Sequence, residues 1–102
     1  MIKVGDKVPN FKAKDLNGND FDIQNYIGKK PLVIYFYPKD NTAGCTIQAC
    51  SFRDQYHDFT DLDAEVIGIS SDSVASHQKF SVEYKLPFIL LSDSDQKIRN
   101  LF

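Results

Sequence analysis

Two cysteines stand five residues apart in Cys45-Thr46-Ile47-Gln48-Ala49-Cys50, and they are the only thiols in the chain. A thiolate attacks peroxides and disulfides and ligates metals, so the surroundings of each sulfur decide which chemistry is open to it. Pro38-Lys39-Asp40-Asn41-Thr42-Ala43-Gly44 just upstream is turn chemistry. Beyond it Ala49, Phe52, Tyr56 and Phe59 recur at steps of three and four, which starts a helix near Cys45. A cysteine in a first turn faces unpaired N–H groups and the positive end of the helix dipole, and both favour an anion there. In an intact helix Cys50 lies about 140° around the axis and about 7.5 Å along it, for a Cα separation of roughly 8.6 Å. A disulfide spans about 7 Å at most, so reaction between the two sulfurs requires the first turns to unwind.

The spacing alone leaves other readings open. Two ordinary buried small residues fit it as well. Metal binding would need His57 as a third ligand, and none of the three shows zinc-finger spacing. A bridge between the pair would close a small loop and brace little of the fold. His57 and His77 read as solvent-facing helix residues, since neither has an evident catalytic partner in the sequence. Pro38 reads as a strand stop and Thr42 as a helix cap. Arg53, about 12 Å along the axis from Cys45, reads as a surface or outlying ion-pair partner.

The elements that must hold these residues follow from hydropathy. Leu32-Val33-Ile34-Tyr35-Phe36-Tyr37 is apolar, β-branched and aromatic, the pattern of a buried central strand stopped by Pro38. Glu65 to Ser70, centred on Val66-Ile67-Gly68-Ile69, predicts a second buried strand. Ser71-Asp72-Ser73 supplies N-cap residues for a helix through about Tyr84. Phe88-Ile89-Leu90-Leu91 predicts a third strand, and Asp93-Ser94-Asp95 a final helical turn ending in Leu101-Phe102. Upstream, Asn17-Gly18 between Phe11 and Phe21 predicts a hairpin or extended arm. Strand and helix alternating in this order imply crossover connections, a parallel sheet core and an α/β sandwich.

The chain has 102 residues, 42% of them hydrophobic, which suits one domain with one core. Its net charge of -2, with both signs interspersed, gives no reason to expect nucleic acid or an anionic membrane as partner. No stretch approaches the roughly 20 apolar residues of a membrane span, and the opening Met1-Ile2-Lys3-Val4-Gly5-Asp6 lacks a signal-peptide core. Cytoplasmic location is the resulting expectation, and there a permanent disulfide would be unusual.

From Phe36-Tyr37-Pro38-Lys39-Asp40-Asn41-Thr42-Ala43-Gly44-Cys45 through Asp54 the sequence closely resembles the peroxiredoxins, specifically the bacterioferritin comigratory protein branch. Val4 to Phe11, Gly68 to Ser73, Ser76-His77-Gln78-Lys79-Phe80 and Leu91-Ser92-Asp93 extend the resemblance along essentially the whole chain. It implies a thioredoxin-like fold, reduction of hydrogen peroxide or organic hydroperoxides, and thioredoxin or a similar dithiol as reductant, with no metal, haem or flavin. By position, Cys45 matches the peroxidatic cysteine and Cys50 the resolving cysteine of the same helix. Thr42 matches the threonine that hydrogen-bonds peroxide and thiolate, and Pro38 the proline that shields the pocket. A thiol-disulfide oxidoreductase is the rival enzyme class, but it would place C-x-x-C at the helix start. A redox-responsive interaction module without turnover is the other rival.

The resemblance also implies an active-site arginine in a later strand, beyond residue 102, with further strands and a closing helix. Leu101-Phe102 leaves two large apolar side chains at the terminus. The expectation is therefore a C-terminally shortened thioredoxin-like domain over residues 1–102, with an open strand edge suited to self-association. Lacking that arginine, these residues alone are expected to show weakened or absent peroxidase activity.

Overall fold

A computed structural model describes residues 3–61 and 63–102; Met1 and Ile2 of the opening lie outside it, as does Leu62. The first hairpin joins β1 (Lys12–Asp15) to β2 (Asp20–Asp22). Its turn forms because Gly18 takes φ 78° and the Asp15 carboxylate accepts from the amides of Asn17 and Asn19 at 2.9 and 3.0 Å. Pairing sets Ala13 opposite Phe21, and Lys12 and Lys14 opposite Asp22 and Asp20.

Three parallel strands follow: β3 (Leu32–Phe36), β4 (Glu65–Ser70) and β5 (Ile89–Ser92). Between them run α1 (Ala43–Asp61) and α2 (Val74–Tyr84), and α3 (Lys97–Leu101) follows β5. Strand order is β2-β1-β5-β4-β3, so both crossovers step the same way across the sheet and both long helices land on one face. The parallel core matches the sequence pattern, while the antiparallel hairpin joined through β1 and β5 makes the whole sheet mixed.

Alternation along β4 divides the core into two layers. Val66 packs with Tyr35, Leu90, Ala49 and Phe80 beneath α1 and α2. Ile67 and Ile69 face the other way, toward Phe11, Phe21, Ile23, Leu91 and Ile98 of α3. β4 is thus an interior strand, flanked by β5 and β3, and β5 holds the middle of the five. Leu32–Phe36, expected at the centre from its apolar run, lies at the sheet's edge with Leu32, Val33 and Ile34 half-buried. Its hydrophobicity reflects apolar contacts on both faces rather than strand neighbours on both sides.

Gly68 lets two side chains close over the middle of β4. A Cβ there would stand 2.9 Å from Leu90 Cδ2 and from both Cζ and the hydroxyl oxygen of Tyr35. The Tyr35 ring cannot retreat freely, because Phe52 stacks on it with centroids 4.7 Å apart and Phe88 meets its edge. Gly68→Ala is expected to lower stability by about 1–3 kcal/mol in urea unfolding, and Tyr35→Phe in that background should recover part of the loss. An unchanged unfolding midpoint would show that the ring moves aside without cost.

Asp93 ends β5 and starts α3: its carboxylate accepts from the amides of Ile98 and Arg99 at 3.0 and 2.9 Å. α2 begins at Ser73, whose hydroxyl accepts from the Ser76 amide, and ends at Lys85 in the left-handed conformation.

Candidate active site

The chain leaves β3 at its C-terminal end and reaches α1 through residues 37–42. Asn41 takes φ 61°, an uncommon conformation that asparagine tolerates, and its side-chain oxygen accepts from the Tyr84 hydroxyl at 3.0 Å. The Thr42 carbonyl accepts the Thr46 amide at 2.8 Å, the first bond of the helix. Thr42 therefore caps through its backbone, and its hydroxyl donates to the Lys39 carbonyl at 3.3 Å. Cys45 falls in the first turn, where the sequence pattern put it, and is buried at 9% exposure against Tyr35, Tyr37 and Ala49.

Cys50 is half-buried further along α1, and both sulfurs are free thiols. Because both residues lie inside one continuous helix, the roughly 8.6 Å Cα separation of an ideal helix applies to this form. Arg53 bonds Asp54 at 3.0 Å and the Tyr84 carbonyl at 2.8 Å, tying α1 to the end of α2 as an outlying ion-pair partner. His57 is exposed on the same helix, 3.6 Å from Asp61.

Pro38 is exposed and borders a cleft of about 210 Å³ with Phe36, Ser70, Asp93 and Arg99. Cys45 and Thr42 do not line that cleft. The four candidate residues thus share one continuous segment with different exposures: Pro38 open, Thr42 and Cys50 half-buried, and Cys45 buried.

His77 departs from the sequence reading. It is fully buried, because Val74, His77, Phe80 and Tyr84 form the inward stripe of α2. That spacing was the available signal; histidine's polarity hid it. Nδ1 lies 2.8 Å from Asp40 Oδ2, and Nε2 lies 2.9 Å from the Leu91 carbonyl, an oxygen that can only accept. Asp40 is buried beside it and also accepts from the hydroxyls of Tyr37 at 2.6 Å and Ser76 at 2.8 Å. Burial pushes the Asp40 carboxyl up, but the bonds from His77, Tyr37 and Ser76 outweigh it and hold the group below the ordinary carboxylate value. Burial, then the Asp40 bond, pushes the Tyr37 hydroxyl far above its ordinary value, so it remains a donor.

A helix whose first-turn cysteine packs against a mixed sheet defines a thioredoxin-like thiol protein. The AhpC/TSA family model matches residues 4–102, and the chain belongs to that family. A chloroplastic peroxiredoxin Q of Oryza sativa subsp. japonica is 50% identical over 98 residues, which is 96% of this chain and 45% of the relative. The crystal structure of the peroxidoxin BcpB from Mycobacterium tuberculosis superposes with a TM-score of 0.96 at 34% identity, covering 100% of this chain and 66% of that one. A Xanthomonas campestris bacterioferritin comigratory protein, described for its alkyl peroxide reduction activity, superposes with a TM-score of 0.87 at 35% identity, covering 90% and 58%. The resemblance read from the motif segments is thus a family relationship along nearly the whole chain, which spans about half the length of curated relatives such as the rice protein.

Proposed function

We propose that this chain carries the thiol half of a peroxiredoxin site, in which Cys45 reduces hydrogen peroxide or organic hydroperoxides and Cys50 resolves the product. The observation that carries the reading is a first-turn Cys45 preceded by the Pro38–Thr42 loop, in a chain belonging to the family from residue 4 to 102. The Cys45 thiolate attacks one oxygen of the peroxide; the O–O bond breaks, the other oxygen leaves as water or an alcohol after taking a proton, and Cys45 becomes a sulfenic acid. The Cys50 thiolate then attacks that sulfur, forming the disulfide as hydroxide leaves and is protonated to water. An external dithiol such as thioredoxin restores both thiols and is itself oxidised to a disulfide. Thr42 would turn its hydroxyl from the Lys39 carbonyl toward the peroxide, and Pro38 would restrict water on the open side. Self-association through the β3 edge belongs to the same proposal, with light scattering as its check.

The decisive experiment is intact mass after one equivalent of hydrogen peroxide, with and without a sulfenic-acid trap, on the wild type and on Cys50→Ser. The expected results are loss of two hydrogens in the wild type and a trapped sulfenic acid at Cys45 in the variant. No reaction would reject the proposal for these residues. The redox-responsive reading draws on the burial of Cys45 away from the cleft. It predicts disulfide formation, abolished in Cys45→Ser, without repeated peroxide consumption.

The unwinding step is separately testable at Gly44. A Cβ there meets nothing within 4 Å, so alanine fits, and it favours the helical form. Gly44→Ala is expected to slow disulfide formation by about threefold while leaving sulfenic acid formation unchanged. Equal rates for both steps in the two proteins would mean that helix opening does not limit resolution.

A further inference from the structure

The Pro38–Thr42 loop is held at two residues: Asn41, which accepts from the Tyr84 hydroxyl, and Asp40, which makes the larger set of bonds. Pro38, Lys39 and Asn41 are exposed and Thr42 is half-buried, whereas Asp40 is buried and bonded on both sides. Its carboxylate takes the hydroxyls of Tyr37 and Ser76 and faces His77 Nδ1, and its amide donates to Asp72 Oδ2 at 2.6 Å. His77 carries the link on to the Leu91 carbonyl of β5, and Asp72 is itself fixed by Ser70 and Ser92 at 2.8 and 2.6 Å. Asp40, through its carboxylate and its amide, thus ties the loop to the end of β3 and the start of α2, and by way of His77 and Asp72 to the ends of β4 and β5. Side-chain exposures of 0% and 4% put His77 and Asp40 where hydrogen bonds to a charged group are strong and costly to lose.

We propose that the buried Asp40–His77 pair, completed by Tyr37 and Ser76, is a positioning unit that keeps the loop and the first turn of α1 folded while Cys45 meets peroxide. The idea rests on the reading of Cys45 as the peroxide-reactive thiolate. The bonds that anchor the loop lie upstream of Cys45, so the stretch of helix that must open for Cys50 hangs from this anchor. Loosening the anchor therefore acts in opposite directions on the two steps: oxidation of Cys45 slows, because Thr42 and Pro38 lose their placement, and condensation with Cys50 quickens. Simple loss of stability would depress both steps together.

The test compares wild type, Tyr37→Phe, Ser76→Ala and Asp40→Asn by amide hydrogen exchange and by the separate rates of sulfenic acid and disulfide formation. Tyr37→Phe and Ser76→Ala each remove one hydroxyl and keep the pair, so they report even if Asp40→Asn folds poorly. Ile23→Val, in the opposite core layer, is the stability control. The expected result is exchange of the Asp40 and Thr46 amides, one bonded to Asp72 and the other making the first bond of α1, faster by roughly tenfold relative to the β4 amides, with the two chemical rates moving apart. Unchanged protection of those two amides, or a rise spread equally over β4 as in the control, would overturn the proposal. Should the wild type not react with peroxide, the functional reading fails, while the exchange pattern still decides whether the network positions the loop.

Discussion

Cys45→Ser is expected to lower peroxide-dependent oxidation of the chain by more than about a hundredfold, because a thiolate, and not a hydroxyl, is the nucleophile. The loss should extend to Cys50. With no sulfenic acid to attack, Cys50 has no partner for a disulfide, and its thiol should stay titratable at one equivalent of peroxide. Cys50→Ser is expected to behave differently: one equivalent is still consumed, and the oxidised Cys45 accumulates instead of resolving. Counting free thiols and following peroxide loss on the same samples checks both halves. Comparable oxidation of Cys45→Ser and wild type would remove Cys45 from the mechanism. The reverse asymmetry would exchange the roles of the two cysteines.

Asp40→Ala carries the largest expected effect on stability. It leaves His77 buried with an unmatched ring nitrogen and deprives the hydroxyls of Tyr37 and Ser76 of their acceptor. Removing one partner of a buried pair costs about 3–5 kcal/mol, a large share of the roughly 5–15 kcal/mol that holds a domain folded. Urea unfolding followed by circular dichroism measures it, and a loss below about 1 kcal/mol would mean that the pair is closer to neutral. The same group sets an acid limit. Asp40 is faced by Ser76 and His77 from α2, by Tyr37 from the end of β3, and through its amide by Asp72 from the β4–α2 connection. Its carboxyl titrates below the ordinary value of 3.8 when folded, so the unfolded chain takes up a proton first as pH falls. Its contribution is complete above that value and is lost as pH drops through the lower folded one. Asp40→Asn should accordingly lose less stability than the wild type as the pH falls below about 4, read from urea unfolding midpoints of the two proteins across that range.

Much of the frame was legible because it depends on local pattern. The Asn17-Gly18 turn, the three apolar strand segments, the Ser73 cap and the helix start near Cys45 all follow from turn chemistry and periodicity within a few residues. The rank of the strands was not legible. Leu32–Phe36 and Glu65–Ser70 are similarly hydrophobic, yet one is an edge strand and the other an interior one, because strand order depends on crossovers between distant segments.

The site divides along the same line. The sequence by itself determined that one segment carries Pro38, Thr42, Cys45 and Cys50, that Cys45 opens a helix, and that five residues of helix separate two sulfurs beyond disulfide reach. Spacing along one continuous element is fixed by backbone geometry and needs no tertiary information. Only the tertiary structure decided that Asp40, Ser76, His77 and the Leu91 carbonyl meet, since 37 residues separate the aspartate from the histidine. A histidine's meaning depends on which acceptors reach its two nitrogens, and packing of α2 over β5 brings them there.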